Sequence, residues 1–382
     1  MKTNAIFAST SVLLALMSGC ASKSNDVADA NNPVTVINFC DSTTAVNNQI
    51  IIPIDLDNII AFEDSEDWAS KGFGTDLVGD DMIITNGSDV FLYNIPTGKK
   101  IRSVSHLGKE QNEYRHISDV VCGDDGLWIV ESHWQDSTSV LRLYGGTDNE
   151  LMSTIKKGHI GDLTACADSG YLATNALSFA GGDFYLYRLD KSFNAVDSVF
   201  LKHRAPRKDI FQETIGIGHD GKRFITVFND TIFSISQSLE LTPVVALDYG
   251  DKKMPDSISH MRYPDINDFT KAISPYINLT WLKKCDDLLF SRYELEDNIY
   301  LSIFDCNTGK RLLHSKITNG NYGLNLDVNS TIIYPEICGI WDGNLLIKIP
   351  ADDAAKIIGN ACAAIAMLPI DTLRGKLSQP DK

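Results

Sequence analysis

Aromatic residues next to arginine and histidine are the side chains of this sequence best suited to ligand chemistry. Tyr114-Arg115-His116 places a ring, a guanidinium group and an imidazole side by side. Aromatic faces and guanidinium groups suit stacking on sugar rings and gripping carboxylates. We therefore predict a ligand-binding set of Tyr114, Arg115, His116, His159, Arg262, Tyr263 and Tyr334. The alternative, that these residues are ordinary polar caps on a closed fold, stays open.

No motif in the sequence predicts a catalytic site, a metal site or a cofactor site. The sequence contains neither G-x-S-x-G nor H-E-x-x-H, so the nucleophile-elbow and zincin classes lack their signatures. Gly216 to Gly221 fits G-x-G-x-x-G on paper, but an apolar β-branched run follows it, which predicts a hairpin and no dinucleotide site. His116 and His159 do not make a metal site by themselves. We expect no cofactor and no metal.

Cys20 follows a short charged start, an apolar stretch and the small residues Ser18 and Gly19. This pattern is typical of a secretory signal, and with its cysteine it resembles the lipobox of bacterial lipoproteins. The resemblance implies cleavage before Cys20 and acylation of Cys20, so residues 1–19 are predicted to be a signal peptide. The apolar stretch is shorter than the roughly 20 residues of a spanning helix. An ordinary signal peptide with an incidental cysteine is the alternative.

The net charge of −16 restricts the partners of the protein. Such a charge repels nucleic acid and anionic lipid, so we expect no nucleic acid partner and a membrane partner only through the acyl chains. The other seven cysteines form no C-x-x-C pair, which predicts neither a disulfide framework nor a zinc site.

One unit recurs along the chain after a polar tether predicted over residues 20–33. Each copy is a short strand, a tight turn rich in Asp or Gly, and a second apolar strand. The second strands are predicted to start near residues 82, 127, 171, 224, 288 and 345. A four-stranded unit of about 40–50 residues is the period of a propeller blade. The pattern predicts an all-β fold, a six-bladed β-propeller over residues 34–350.

The two ends of this propeller are predicted to meet. The last unit has strands only to about Ile349, and strand-like runs precede the first unit, so N-terminal strands are expected to complete the sixth blade. Residues 351–382 are predicted to be a helical tail, with a short helix from Ala351 to Leu368 that packs on the propeller. An insert from Asp251 to Tyr276 is expected on the binding face.

Two stretches resemble one family. Gly98-Lys99, Gly108 and Glu113-Tyr114 are similar to the end of the first blade in the six-bladed β-propeller lipoproteins of the Bacteroidota. Asn319 to Gly323 and Tyr334-Pro335-Glu336 are similar to the approach to the last blade of that family. The resemblance implies a six-bladed propeller, a lipid anchor and an envelope location. The family has no agreed catalytic residues to transfer.

These observations favour a membrane-anchored envelope lipoprotein that acts as a binding or scaffold propeller for a glycan, peptide or partner protein. The predicted location is the cell envelope, at the periplasmic side or the surface of the outer membrane. The alternative is a hydrolase or lyase with its site at the channel mouth. A third possibility is an envelope-assembly component that docks by its propeller face.

Overall fold

Short strands make up most of the structure. The computed structural model describes residues 34–40, 49–69, 74–123, 126–133, 138–146, 148–158, 160–166, 170–175, 184–202, 216–219, 223–227, 230–236, 238–259, 261, 263–318, 322–360 and 362–378. Within these ranges, no helix has the length and apolarity needed to cross a membrane.

The elements follow the chain as a series of antiparallel blades. The N-terminal elements are β1 (Thr35–Asn38), β2 (Ile50–Pro53), β3 (Ile59–Ala61) and the short helix α1 (Glu66–Ala69). The first blade contains β4 (Gly74–Val78), β5 (Asp81–Thr85), β6 (Val90–Asn94) and β7 (Lys100–Val104). The second contains β8 (Asp119–Gly123), β9 (Gly126–His133), β10 (Thr138–Gly145) and β11 (Glu150–Gly158). The third contains β12 (Asp162–Ala165), β13 (Tyr171–Thr174), β14 (Phe184–Leu189) and β15 (Ala195–Lys202).

The second half of the chain repeats this arrangement with additions. The fourth blade contains β16 (Gly216–His219), β17 (Arg223–Val227), β18 (Thr231–Ile235) and β19 (Leu241–Asp248), followed by the helices α2 (Asp256–Ser259) and α3 (Ile266–Ile273). The fifth contains β20 (Asn278–Cys285), β21 (Leu288–Leu295), β22 (Asn298–Asp305) and β23 (Arg311–Lys316). After β24 (Leu324–Val328) and β25 (Thr331–Ile333), the sixth contains β26 (Glu336–Trp341), β27 (Asn344–Ile349) and β28 (Ala364–Pro369), with helices α4 (Ala351–Ile358) and α5 (Ile370–Leu377).

Burial explains why the second strand of each blade is the clearest in the sequence. In β9 the residues from Leu127 to Ser132 are all buried, because this strand lies inside its sheet and a neighbouring blade covers each face. The outer strand β11 instead alternates between exposed and half-buried residues. A strand buried on both faces reads as a continuous apolar run, which is why these runs marked the repeats.

Contacts between first strands define a ring of six blades. Asp119 of β8 accepts a hydrogen bond from the amide of Leu163 in β12 (2.7 Å). Lys283 of β20 donates to the carbonyl of Cys338 in β26 (2.7 Å). A Cβ built on Gly339 of β26 would lie 2.4 Å from Leu77 of β4, so these two strands approach closely. The last blade therefore touches both the fifth and the first, and the six-bladed prediction is confirmed.

A small seventh sheet lies between the fifth and sixth blades. It has the order β2-β24-β25, with β2 parallel to β24. Its buried residues Ile52, Leu326 and Ile333 share one apolar core with residues of both neighbouring blades. Because β20 and β26 contact each other directly, this sheet fills space between the two blades and adds no first strand to the ring.

Closure of the ring uses an N-terminal strand, as predicted. β3 pairs antiparallel with β28 and is the fourth strand of the sixth blade.

The expectation of one helix over residues 351–368 is wrong at its end, because residues 364–368 belong to β28. The propeller therefore extends to Pro369, beyond the predicted boundary at residue 350. The helices α4 and α5 do pack on the propeller, with Ile357 and Leu373 buried in its core.

β1 adds a fifth strand to the fourth blade, parallel to β19. The aromatic ring of Phe39, just after β1, lies 5.0 Å from the ring of Tyr249 and 4.9 Å from that of Phe304. Phe39 is 4% exposed, so the start of the described chain is packed between the fourth and fifth blades.

Gly216–His219 forms β16 and pairs with β17. The predicted hairpin at this glycine motif is confirmed, and the dinucleotide loop is excluded by the strand that follows. The seven described cysteines are free, and Cys285, Cys306, Cys338 and Cys362 are buried.

Candidate functional site

One face of the ring collects the starts of the first strands, and we call it the mouth face. A four-stranded antiparallel blade ends on the side where it began, so each link to the next blade returns to this face. The first strands begin there at Gly74, Asp119, Asp162, Gly216, Asn278 and Glu336. The insert between β19 and β20 also crosses the mouth face, because β19 ends there.

Arg115 and His116 lie exposed on the mouth face of the second blade. The backbone amide of Arg115 donates to Glu131 Oε2 (2.8 Å), and Glu131 in turn accepts from Arg142 Nε (2.6 Å). A ring nitrogen of His116 is 3.1 Å from the carbonyl oxygen of Ser132. The strand ends thus hold the backbone of this loop in place and leave the guanidinium group of Arg115 at the surface.

Tyr114 is a core residue, and its prediction as a ligand-binding residue is wrong. Its side chain is completely buried, and its hydroxyl donates to the carbonyl oxygens of Ser88 (2.6 Å) and Val104 (3.2 Å). Burial raises the pKa of Tyr114 to about 12. The hydroxyl therefore satisfies backbone carbonyls inside the blade, and the residue cannot reach a ligand.

The other predicted residues lie apart. Tyr263, half-buried in the insert, donates to the carbonyl of Ile258 (3.0 Å) and meets the ring of Phe269 edge-on. Tyr334, half-buried before β26, meets the ring of Tyr322 edge-on at 5.0 Å. His159, Arg262 and Cys20 lie outside the described residues. Among the residues that are described, no hydrogen bond or ring contact joins Arg115 or His116 to Tyr263 or Tyr334.

Three aspartates at the inner edge of consecutive blades form a group that the sequence analysis missed. Asp76, Asp119 and Asp162 belong to the first strands β4, β8 and β12. Asp119 accepts from the backbone amides of Val120 (2.8 Å) and Leu163 (2.7 Å), which links two blades. Burial raises the pKa of Asp119 well above its ordinary value, and the charges of Asp162 and Asp76 raise it further. The available signal was an Asp followed by a large apolar residue in three successive first strands.

Replacement of Asp119 by Asn is expected to change how stability depends on pH. A raised pKa means that the folded state binds a proton more tightly than the unfolded chain, whose aspartate titrates near 3.8. Stability is then greatest below that value and falls, by up to about 1.4 kcal/mol per pH unit, until the pH passes the folded-state pKa. Asp119→Asn removes this loss, so the free energy of unfolding of the variant relative to the parent should rise with pH.

Urea unfolding between pH 4 and pH 8 measures this difference. Asp342→Asn, at an exposed turn, is the matched control and should give a profile parallel to that of the parent. A parallel profile for Asp119→Asn would show that Asp119 is not protonated in the folded protein.

A pocket of about 280 Å³ lies at the mouth face of the fifth blade, beneath the end of α3. It is lined by Thr270, Ile273, Ser274, Tyr276, Asn278, Glu294, Leu295, Asp297 and Ile299. Asn278 and Glu294 are paired across β20 and β21, while Ile273 and Ser274 end the helix of the insert. The insert, which no blade requires, thus forms one wall of the pocket and the strand ends form the other.

Tyr276, at the end of the insert, and Asn278, at the start of β20, face a common space in this pocket. The carboxylates of Glu294, near the end of β21, and Asp297, in the turn that follows, were missed, because acids at a strand end or in a turn look like ordinary solvated residues. Across the described part of the chain, no group of three or more His, Cys, Asp or Glu residues is placed to hold a metal ion.

The chain is similar to solved structures of other proteins. The fold is similar to that of an exported protein from Bacteroides fragilis NCTC 9343, with a TM-score of 0.55 and 13% identity over 83% of this chain and 99% of that chain. It is also similar to a DUF4221 family member from Bacteroides vulgatus, with a TM-score of 0.47 and 9% identity over 81% of this chain and 95% of that chain. No curated protein matches the sequence.

The sequence itself matches one family along most of its length. The profile of the family DUF5128, described as a 6-bladed beta-propeller, matches residues 30–332. The matched range runs from just before β1 through the fifth blade and the small sheet that follows it. The chain therefore belongs to the DUF5128 family of six-bladed β-propellers.

Proposed function

We propose that this protein is an envelope lipoprotein, anchored through acyl chains on Cys20, whose propeller binds a glycan, peptide or partner protein at its mouth face. The observation that carries the binding role is the insert between β19 and β20. It places α2, α3 and a pocket of about 280 Å³ on the mouth face, and it contributes no strand to any blade. Such additions to one face of a propeller are where ligands commonly bind.

The proposed location rests on the N-terminal sequence and on a protein of similar fold. Residues 1–20 combine a charged start, an apolar stretch and a cysteine after small residues. The similar structure from Bacteroides fragilis belongs to an exported protein, which supports an envelope location for this chain.

The direction of β1 supports a particular orientation on the membrane. β1 is parallel to β19, which ends at the mouth face, so β1 begins, at Thr35, on the opposite face. The 15 residue steps from Cys20 to Thr35 span at most about 50 Å. We infer that an anchor joined to this end of β1 leaves the mouth face directed away from the membrane, where it is open to ligands.

Replacement of Cys20 by Ala is expected to release the protein from the membrane fraction. Without the thiol there is no attachment point for the acyl chains that hold the protein on the bilayer. Fractionation after a high-salt wash measures the result. Cys40→Ala, which removes an exposed thiol after β1, is the control and should remain with the membrane. A Cys20→Ala protein that still sediments would contradict the lipid anchor.

A screen of glycans and peptides against the full-length protein in detergent tests the binding role. We expect a ligand whose affinity falls by about 1–3 kcal/mol in Arg115→Ala or Tyr276→Ala, because both side chains lie on the mouth face. Lys99→Ala, at an exposed turn on the opposite face, should leave the affinity unchanged. A ligand whose affinity depends on Lys99 and on neither mouth residue would move the site to the other face.

A hydrolase or lyase is the second candidate, and Asp119 is the observation that favours it. A carboxyl group with a raised pKa beside other carboxylates is a general-acid candidate. Its oxygens, however, accept hydrogen bonds from backbone amides of two blades. A structural role therefore already explains the position of this carboxyl group. Turnover of a screened glycan or peptide that Asp119→Asn abolishes would favour the enzyme.

A further inference from the structure

The pocket beneath α3 has an acidic end without a basic side chain. Two of its lining residues, Glu294 and Asp297, carry carboxylates, and none of its described lining residues is Lys, Arg or His. The hydroxyl of Ser274 donates to Asp297 Oδ1 (2.8 Å). No ion pair within the described chain involves the side chain of Glu294 or Asp297. The pocket therefore presents uncompensated negative charge to whatever enters it.

The lysine beside the turn between β21 and β22 is held by a different carboxylate. Lys252 Nζ pairs with Glu296 Oε1 at 2.8 Å, on the turn between β21 and β22. The backbone carbonyl of Lys252 accepts from the amide of Ile277 (2.9 Å), so this lysine is anchored in the insert. It neutralises Glu296, which does not line the pocket, and leaves Glu294 and Asp297 for a ligand.

The helix end and the turn also fix the pocket before any ligand binds. The carbonyl of Ser274 accepts from the amide of Glu296 (2.7 Å), which ties the end of α3 to the turn. Thr270, Ile273 and Ser274 line the pocket from the last turn of this helix. Carbonyl groups at a helix C-terminus carry partial negative charge and favour cations. The carbonyls of Thr270, Ile273 and Ser274 already accept hydrogen bonds from backbone amides, so the helix end holds the wall of the pocket in place and the negative charge comes from the two carboxylates.

The remaining wall is apolar. Ile273, Leu295 and Ile299 line it together with the ring of Tyr276. An aromatic face attracts an ammonium group, and aliphatic walls suit the methylene stem of such a group. A bare metal ion would need more ligands than two carboxylates supply, and it would leave this apolar wall unused.

We propose that this pocket binds a primary ammonium group on an aliphatic stem, as in the lysine side chain of a peptide. The proposal rests on the proposed function, because it names the ligand chemistry of the same mouth face. The ammonium group meets Glu294 and Asp297, and the stem lies along Ile273, Leu295 and Tyr276. The net charge of −16 on the whole chain attracts a basic peptide toward the surface.

Titration with two capped amino acids tests this directly. Nα-acetyl-lysine methylamide and Nα-acetyl-norleucine methylamide share the stem and differ in the ammonium group. Isothermal calorimetry or NMR on the full-length protein in detergent should show saturable binding of the lysine compound and none of the norleucine compound. Glu294→Gln and Asp297→Asn should each weaken binding about tenfold, since each removes a charge-assisted contact. Equal binding of the two compounds would overturn the proposal.

The variants are chosen so that folding does not decide the outcome. Asp297 has a φ of 59°, which Asn tolerates well, and Asn keeps an oxygen for the Ser274 hydroxyl. Glu240→Gln, at an exposed turn on the opposite face, removes the same charge outside the pocket and should bind like the parent. Full affinity in both Glu294→Gln and Asp297→Asn would also overturn the proposal.

The same experiments separate this proposal from the broader one. If a screened glycan or peptide depends on Arg115 or Tyr276 and the capped lysine does not bind, the ammonium proposal fails and the binding role stands. If the capped lysine binds the pocket and no screened glycan or peptide depends on Arg115 or Tyr276, the ammonium proposal stands and the binding of a glycan or larger peptide across the mouth face fails.

Discussion

A chain that lacks residues 34–63 is expected to lose cooperative unfolding. These residues supply a strand to each of three sheets: β1 to the fourth blade, β2 to the small sheet and β3 to the sixth blade. Their buried side chains Ile37, Ile52 and Phe62 are each at most 2% exposed. The deletion removes all three from the core and exposes the edge of β28, so the ring opens between its last and first blades.

Thermal unfolding followed by circular dichroism measures this effect. The parent should melt in one sharp transition and the deleted protein in a broad one or none. Deletion of residues 24–33 is the control, since it removes no described strand, and its melt should match that of the parent. A sharp transition near the parent melting temperature after deletion of residues 34–63 would show that the ring closes without these strands.

Replacement of Gly98 by Ala is the point mutation with the largest expected effect on closure. Gly98 has a φ of +66°, and a Cβ at this position would lie 2.2 Å from the carbonyl oxygen of Ala61 in β3. The carbonyl of Gly98 also accepts from the amide of Glu63 (2.9 Å). The left-handed conformation costs Ala about 1–2 kcal/mol, and the clash with the closing strand adds to it. We expect a total loss of about 3–5 kcal/mol.

A second glycine separates the clash from the backbone cost. Gly343 has a φ of +73° and no atom within 4 Å of a built Cβ, so Gly343→Ala should lose only the backbone part. Gly309 repeats the geometry of Gly98 in the fifth blade, because its Cβ would lie 2.2 Å from the carbonyl oxygen of Val36 in β1. Gly309→Ala should therefore resemble Gly98→Ala. Equal losses in Gly98→Ala and Gly343→Ala, measured by urea unfolding, would rule out the contact with β3.

The turn glycines also show the structural role of the Gly-Lys motif that contributes to the family resemblance. The sequences Thr97-Gly98-Lys99 and Thr308-Gly309-Lys310 occur at the same turn in the first and fifth blades. Each glycine lies against an N-terminal strand at the outer edge of the preceding blade. The motif is therefore a packing device, which explains why it predicted the fold and carried no information about ligands.

The C-terminal strand shows why the tail was misassigned. Residues 364–368 form a short apolar run of Ala, Ile, Met and Leu before Pro369. A buried run of this length cannot be told from part of a helix by periodicity. It is a strand because the third position of the sixth blade is buried between β27 and β3, and that position exists only once the ring has closed.

The sequence by itself determined the blade repeat, the blade number and the closure by an N-terminal strand. Each blade is a local meander whose central strand must be a continuous apolar run. The period of the blades can therefore be recognised from the spacing of these runs in the sequence. Only the tertiary structure decided that β1 pairs with β19 and that β2 pairs with β24. It also decided that Tyr114 is buried and which side chains meet at the mouth face. Those outcomes depend on contacts between different blades and with the N-terminal strands, which a local sequence pattern does not encode. The pocket acids Glu294 and Asp297 belong to the same class, because they become a site only where α3 lies over the fifth blade.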